Sequence, residues 1–307
     1  GLAMAKALGD KRRIAGTTNN LGIAALDSGD YPVAFDLFRQ SFDLEKEMGS
    51  RSNMGPRLNN MGNAALAMGD YAGAQECHQQ ALNLRTEIHD KLGITISLEG
   101  LGNTTLAMGD NTKAQEYFQR SLARAHEVGY KDIIINNLRG LGQIMRNQGN
   151  NSVARNYFQQ ALELARNISP REVNGILNSL ASVAFENQEP DCLSLVQGVL
   201  ADSLSHSQQP QMLRALIVTG RWAAREGDAP GAARLAGVVG THPACSPIIR
   251  RELAQLQQEL APLLPAEQIE ALGVEGVALD LETTAQEWLA RIETVAAEGG
   301  TITGAPS

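Results

Sequence analysis

Apolar positions along much of the chain recur in steps of three and four. Leu58, Met61, Ala65 and Met68 form one such series and Leu98, Leu101, Thr105 and Met108 another, each drawing one apolar stripe along a helix. Gly-Asp at 29–30, 69–70 and 109–110 interrupts the stripes. Gly suits a left-handed C-cap there, and Asp suits the cap of the helix that follows. Pro32 and Pro190 fall near the first turn of such following helices, where a missing N–H costs nothing. Strands have no place in this plan.

The stripes belong to a repeat with a period of 40 residues. NNLGIAALDSGDY from Asn19, NNMGNAALAMGDY from Asn59, EGLGNTTLAMGDN from Glu99 and RGLGQIMRNQGNN from Arg139 follow one another without a gap. A fifth copy, SLASVAFENQEP from Ser179, keeps the register and loses its glycines. Each unit reads as two helices. The second carries Ala34, Ala74, Ala114 and Ala154 at one place, with Phe38, His78, Phe118 and Phe158 four residues on. Ser41, Ala81, Ser121 and Ala161 follow, then Phe42, Leu82, Leu122 and Leu162. Small residues let two backbones approach, and the large residue beside them fills the layer between repeats.

Leu21-Gly22, Gly29-Asp30-Tyr31, Ala34, Phe38 and the small Ser41 resemble the tetratricopeptide consensus, with Gly62, Gly102 and Gly142 repeating it. The resemblance covers roughly residues 12 to 190 and implies an all-α, right-handed α-solenoid of antiparallel helix pairs. The common unit is about 34 residues. The longer period here resembles the long-helix subgroup of kinesin light chains and bacterial signalling proteins.

Repeats are expected over 1–206, a degenerate pair and a helical C-terminal cap over 207–295, and a flexible tail over 296–307. Leu2, Met4 and Leu8-Gly9 align with Phe42, Leu44 and Met48-Gly49, so Gly1 falls inside a second helix and the chain reads as a piece of a longer protein. Gly227-Asp228 repeats the turn, Ala232-Ala233 repeats the small positions, and Trp222 and Trp288 are expected to pack the closing region. AARLAGVVG with LAPLLPAEQIEALGVEGVALDLETTAQEWL, about residues 231–290, resembles the end of many bacterial signal-transducing ATPases with numerous domains and LuxR-type multidomain regulators. That likeness implies a sensor array joined to a nucleotide-switch domain. No GxxxxGK[ST] loop or helix-turn-helix reader is present in this sequence, so such activities would lie outside it.

Composition narrows the function classes. The formal charge of −8, with no concentrated Lys or Arg, argues against direct nucleic-acid binding. Aromatics at 4% suit thin layers of closely packed helices and not an aromatic-lined cofactor pocket. Cys77, Cys192 and Cys245 are far apart and form no CxxC pair, so neither a disulfide framework nor a zinc site is signalled. No apolar run approaches the ~18 residues of a membrane span, and no signal-peptide order is present. A cytoplasmic protein without cofactor or metal, acting away from membranes, is the expectation.

In a tetratricopeptide solenoid the first helices line the concave face. Counted in helical steps from a packed Leu21 and Gly22, that face takes Asn19 and Asn20, then Asn59, Asn60 and Asn63, then Asn103, then Asn136, Arg139, Gln143 and Arg146. Asn is a mediocre helix residue, so its recurrence asks for a reason. A carboxamide offers donor and acceptor to an extended peptide backbone; alternatively the amides bond neighbouring repeats or face water. Arg139 and Arg146 suit a carboxylate or phosphate.

The histidines His78, His89, His126, His206 and His242 show no metal spacing and read as packed or solvated. Glu45 and Glu47 read as solvated charge on outer second-helix surfaces. The expected function is therefore non-catalytic. A protein or peptide binds in the concave groove and shifts the switch domain of a parent signalling ATPase or transcriptional regulator. The alternatives are a stand-alone scaffold or intracellular peptide-pheromone receptor and, from another class, an enzyme with its site in the C-terminal region.

Overall fold

The computed structural model describes residues 9–298, and among them every regular element is an α-helix. In chain order these are α1 (Lys11–Asp27), α2 (Tyr31–Glu47), α3 (Arg51–Met68), α4 (Tyr71–Glu87), α5 (Lys91–Ala107), α6 (Asn111–Val128), α7 (Lys131–Asn147) and α8 (Asn151–Ile168). There follow α9 (Pro170–Glu186), α10 (Cys192–Ser205), α11 (Gln209–Arg225), α12 (Ala229–Thr241), α13 (Pro247–Leu260), α14 (Ala266–Val277) and α15 (Leu281–Glu298). The fold is the expected tetratricopeptide-like stack of helix pairs.

Capping residues set where the helices begin and end. Asp10, Asp30, Asp70, Asp90, Asp110 and Asp228 each accept a hydrogen bond from the backbone N–H three residues on, at 2.9 to 3.4 Å. These contacts satisfy a donor that the first turn of a helix leaves open. Gly69 ends α3 at φ +83°, a conformation that an L side chain resists.

The chain divides into two compact units, Gly1–Leu164 and Ala165–Ser307, with the border inside α8. In the first unit α1 packs on α2, α2 on α3, and so on through α7, while the first helices α1, α3, α5 and α7 also touch in succession. Close approach explains the recurring Leu-Gly pair. A β-carbon on Gly22, Gly102 or Gly142 would lie 2.7 Å from a ring carbon of Phe38, Phe118 or Phe158. Apolar clusters join successive repeats: Ala34 and Phe38 with Met61 and Ala64, and Ala114 and Phe118 with Leu141 and Ile144.

Leu21 departs from the expectation that it is packed, with 44% of its surface exposed against none for Leu101. Met61 and Leu141, at the equivalent place, meet the second helix of the preceding repeat. The half-repeat expected at residues 1–8 lies outside the described residues, as does the tail from 299 onward. The first three residues of the expected tail, 296–298, are the end of α15.

In the second unit α9 pairs with α10 and α11 with α12, and Gly227-Asp228 makes the turn between the latter two. Helix α13 packs on α11 and α12, α14 on α12, and α15 on α10 and α11. Trp222 and Trp288 join one continuous core there, as the sequence suggests. Helix α14 sits against α12 at backbone distance, because a β-carbon on Gly237 would fall 2.1 Å from the Gly273 carbonyl oxygen.

Candidate ligand-binding face

The first-helix face of unit 1 is built from α1, α3, α5 and α7, and the sequence-selected amides on it divide into two groups. Some are spent on neighbours. Asn60 Nδ2 donates to the side-chain Oδ1 of Asn19 at 3.0 Å, joining α3 to α1, and Asn19 is buried. Asn59 is buried too, its carbonyl oxygen accepting from Arg85 Nη1 at 2.9 Å and Ser97 Oγ at 3.0 Å. Asn136 donates to Glu99 at 3.1 Å, joining α7 to α5. Gln143 is half-buried and donates to Asn147 at 2.9 Å. Arg139 and Arg146 are half-buried and already engaged by partners.

Asn20, Asn63 and Asn103 are exposed. Asn63 and Asn103 occupy one repeat-equivalent place, at which Ile23 and Gln143 complete the series. Two turns nearer the N-terminus of α5 than Asn103, Ile96 lines an open cavity of about 460 Å³ with Ile133 of α7 and with Leu92, Gly129, Tyr130, Lys131 and Asp132. An apolar-lined cavity and an exposed carboxamide carried on the same helix, α5, suit a peptide, which needs hydrogen bonds along its backbone and a dry place for a side chain.

The corresponding helices of unit 2 offer a different surface. Arg214 holds Glu252 through two nitrogens at 2.8 and 2.9 Å, and Arg221 holds Glu259 the same way at 2.7 and 3.0 Å. The Arg221 guanidinium lies 4.6 Å from the Phe185 ring centroid and that of Arg225 3.8 Å. Asn178 donates to the Gln211 carbonyl and side chain at 3.1 Å each. Thr219, Gly220 and Ala223 on α11 are buried. Here Arg214 and Arg221 are committed to carboxylates of the same unit.

Several working residues were missed from sequence. Glu45 is 1% exposed, not solvated: it accepts from Asn53 at 3.1 Å and from Arg57 at 3.3 Å. Ser41 donates to the Ala15 carbonyl at 2.8 Å and accepts from Arg57 Nε at 2.9 Å. Ser121 donates to the Thr95 carbonyl at 3.0 Å and accepts from Asn137 at 2.9 Å, the same arrangement two repeats later. The signal was the alternation of Ser41 and Ser121 with Ala81 and Ala161.

Burial pushes the Cys77 thiol up to about 11 and the Cys192 thiol up to about 12, so both stay protonated near neutrality. His78 is fully buried, and desolvation, helped by the Arg85 charge, lowers its imidazole to about 4. Among the described residues no three His, Cys, Asp or Glu side chains are placed to hold a metal ion, and no helix is long and apolar enough to cross a membrane.

Residues 57–125 and 93–167 match the family model described as tetratricopeptide repeat. No curated protein sequence matches the chain. Among solved structures, the Rap conjugation gene regulator of the plasmid pLS20 in complex with the Phr* peptide is similar, with TM-score 0.65 and 14% identity over 97% of this chain and 80% of that one. A Rap protein complexed with competence and sporulation factor gives 0.64 and 12%, over 92% and 75%. The apo form of RapI gives 0.57 and 12%, over 90% and 99%. At such identities the likeness is one of fold: a tetratricopeptide-like helical repeat protein similar in architecture to the Rap proteins.

Proposed function

We propose that the chain is a peptide- or protein-binding module that takes an extended segment along the first-helix face of unit 1 and performs no catalytic step. One observation carries the reading. Asn20, Asn63 and Asn103 present exposed carboxamides, whereas the first helix α11 of unit 2 commits Arg214 and Arg221 to internal ion pairs. First helices of successive repeats stand roughly 10 Å apart, and an extended chain rises about 3.3 Å per residue. Each repeat would then meet about every third ligand residue, so a ligand reaching from Asn63 to Gln143 needs about six residues or more. Backbone reading of this kind gives affinity with tolerant side-chain selection.

The biological setting is proposed on two grounds. The tail resemblance over about residues 231–290 supports a cytoplasmic sensor in a larger bacterial signalling ATPase or transcriptional regulator, where ligand occupancy changes repeat curvature and releases or clamps a switch domain. Similarity to a Rap regulator in complex with the Phr* peptide, and to a Rap protein complexed with competence and sporulation factor, supports the second reading, an intracellular receptor for a peptide signal. A nucleotide-binding loop in the gene's full reading frame would favour the first.

Selection of random ten-residue peptides on the purified chain tests the binding claim. Selected peptides should lose at least tenfold in affinity with the Asn63→Ala, Asn103→Ala variant and keep it with Arg214→Ala. Peptides that bind the two variants alike would place the site elsewhere.

A further inference from the structure

Helix α4 fills its layer differently from the other second helices of unit 1. Phe38, Phe118 and Phe158 are buried at the place His78 occupies, and both His78 ring nitrogens are buried with no hydrogen-bond partner. The slot is lined by glycine on both sides: a β-carbon on Gly62 would lie 2.6 Å from the ring and one on Gly100 2.5 Å. Two turns further along α4, Arg85 lies in a second such slot, 2.7 Å from a β-carbon on Gly55 and 2.5 Å from one on Gly93. Its Nη1 donates to Asn59, to the Gly93 carbonyl and to Ser97 at 2.7 to 3.0 Å, while its buried Nε makes no hydrogen bond and has only the Asp90 carboxylate at 3.8 Å. Unpartnered buried polar groups of this kind gain by reaching water, so they favour opening.

The two helices that clasp α4 are themselves weak. Pro56, beside Gly55, stands inside α3, where a proline removes a helix hydrogen bond. Helix α5 holds Gly93, Gly100 and Gly102, and its Thr95, Thr104 and Thr105 each donate to the carbonyl four residues back, at 2.8 to 2.9 Å. Glycine lowers helix propensity, and threonines bonded this way loosen and bend a helix. On either side of this layer, Phe38 and Phe118 anchor apolar clusters that bind neighbouring repeats together.

We propose that the α3–α4–α5 layer is a built-in hinge of unit 1, at which the repeats swing or part in preference to the layers filled by phenylalanine. In a repeat array, stability is a sum of nearest-neighbour terms, so motion concentrates at the weakest layer. The layer separates Asn63 on α3 from Asn103 on α5. On the reading of the first-helix face given above, a peptide held by both would bridge the hinge and restrict it.

Hydrogen exchange of the ligand-free chain tests the hinge independently of any binding. Interior amides of α4 and α5 should exchange at least tenfold faster than those of α6 and α7. Phe118 lies between Gly102 and Gly140 as His78 lies between Gly62 and Gly100, so His78→Phe fits the existing slot. It should slow exchange in α4 and α5 tenfold or more, and Phe118→His should speed exchange in α6 and α7. Equal protection of the two layers in the parent chain, or a His78→Phe variant with unchanged α4 and α5 exchange, would overturn the proposal. A peptide that binds but leaves α4 and α5 exchange unaltered would remove only the ligand coupling. Absence of any peptide ligand would sink the binding reading and leave the hinge standing.

Discussion

Replacing His78 by Phe should stabilise the protein, and by more as the solution is made acidic. At neutral pH the imidazole is uncharged and has two buried nitrogens without partners. Removing such groups in favour of a ring that packs gains roughly 1–3 kcal/mol. The pH term adds to this. His78 has its imidazole lowered from 6.5 to about 4 in the folded chain. Below pH 6.5 the unfolded chain therefore takes up a proton that the folded chain refuses, and stability is lost as the pH falls toward 4. The linkage gives an extra loss of about 1.4 kcal/mol at pH 5.5 and ~2.6 kcal/mol at pH 4.5. Urea unfolding of both proteins from pH 7.5 to 4.5 isolates this contribution, since they share all other titrating groups. The stability difference should widen on acidification. A difference independent of pH, or a less stable Phe variant at pH 7, would refute the account of His78.

Gly102→Ala should cost about 1–3 kcal/mol by overpacking against Phe118, and Phe118→Leu should recover part of it; thermal unfolding reads both. Asn59→Ala leaves Arg85 and Ser97 without a shared acceptor and should destabilise by ~2 kcal/mol. Asn63→Ala, at an exposed place, should change stability by less than about 0.5 kcal/mol; paired urea titrations separate the two. Arg214→Ala strands the half-buried Glu252 and should cost roughly 2–3 kcal/mol, and a double-mutant cycle with Glu252→Gln should show coupling. Cys192, with its thiol pushed up to about 12, should resist a thiol-specific reagent at pH 8 until denaturant unfolds its helix.

The architecture was legible because helix, turn and cap are local and the repeat shows them several times in phase. Gly22, Gly62, Gly102 and Gly142 are close-packing positions in the structure as in the sequence. The site was less legible because neighbouring residues on a helix edge meet different surroundings. Asn19 is buried and Asn20 exposed, and Asn59 serves Arg85 while Asn63 faces outward. Helical counting finds the face, but not which side chains on it the next repeat consumes. Glu45 went astray for the same reason: an acidic residue among Lys and Asp on α2 looks solvated until Arg57 and Asn53 of α3 close over it. These partners lie 8 and 12 residues away, across a turn, where the period of one helix says nothing.

The central claim is that the first-helix face of unit 1 is the binding surface, and site-specific photo-crosslinking tests it most directly. A photoreactive residue placed at 63 or 103 should become covalently joined to a selected peptide, with unlabelled peptide as competitor. The same residue at Glu76 on α4, an exposed place on a second helix, should give none. Crosslinks from 76 without any from 63 or 103 would contradict the account.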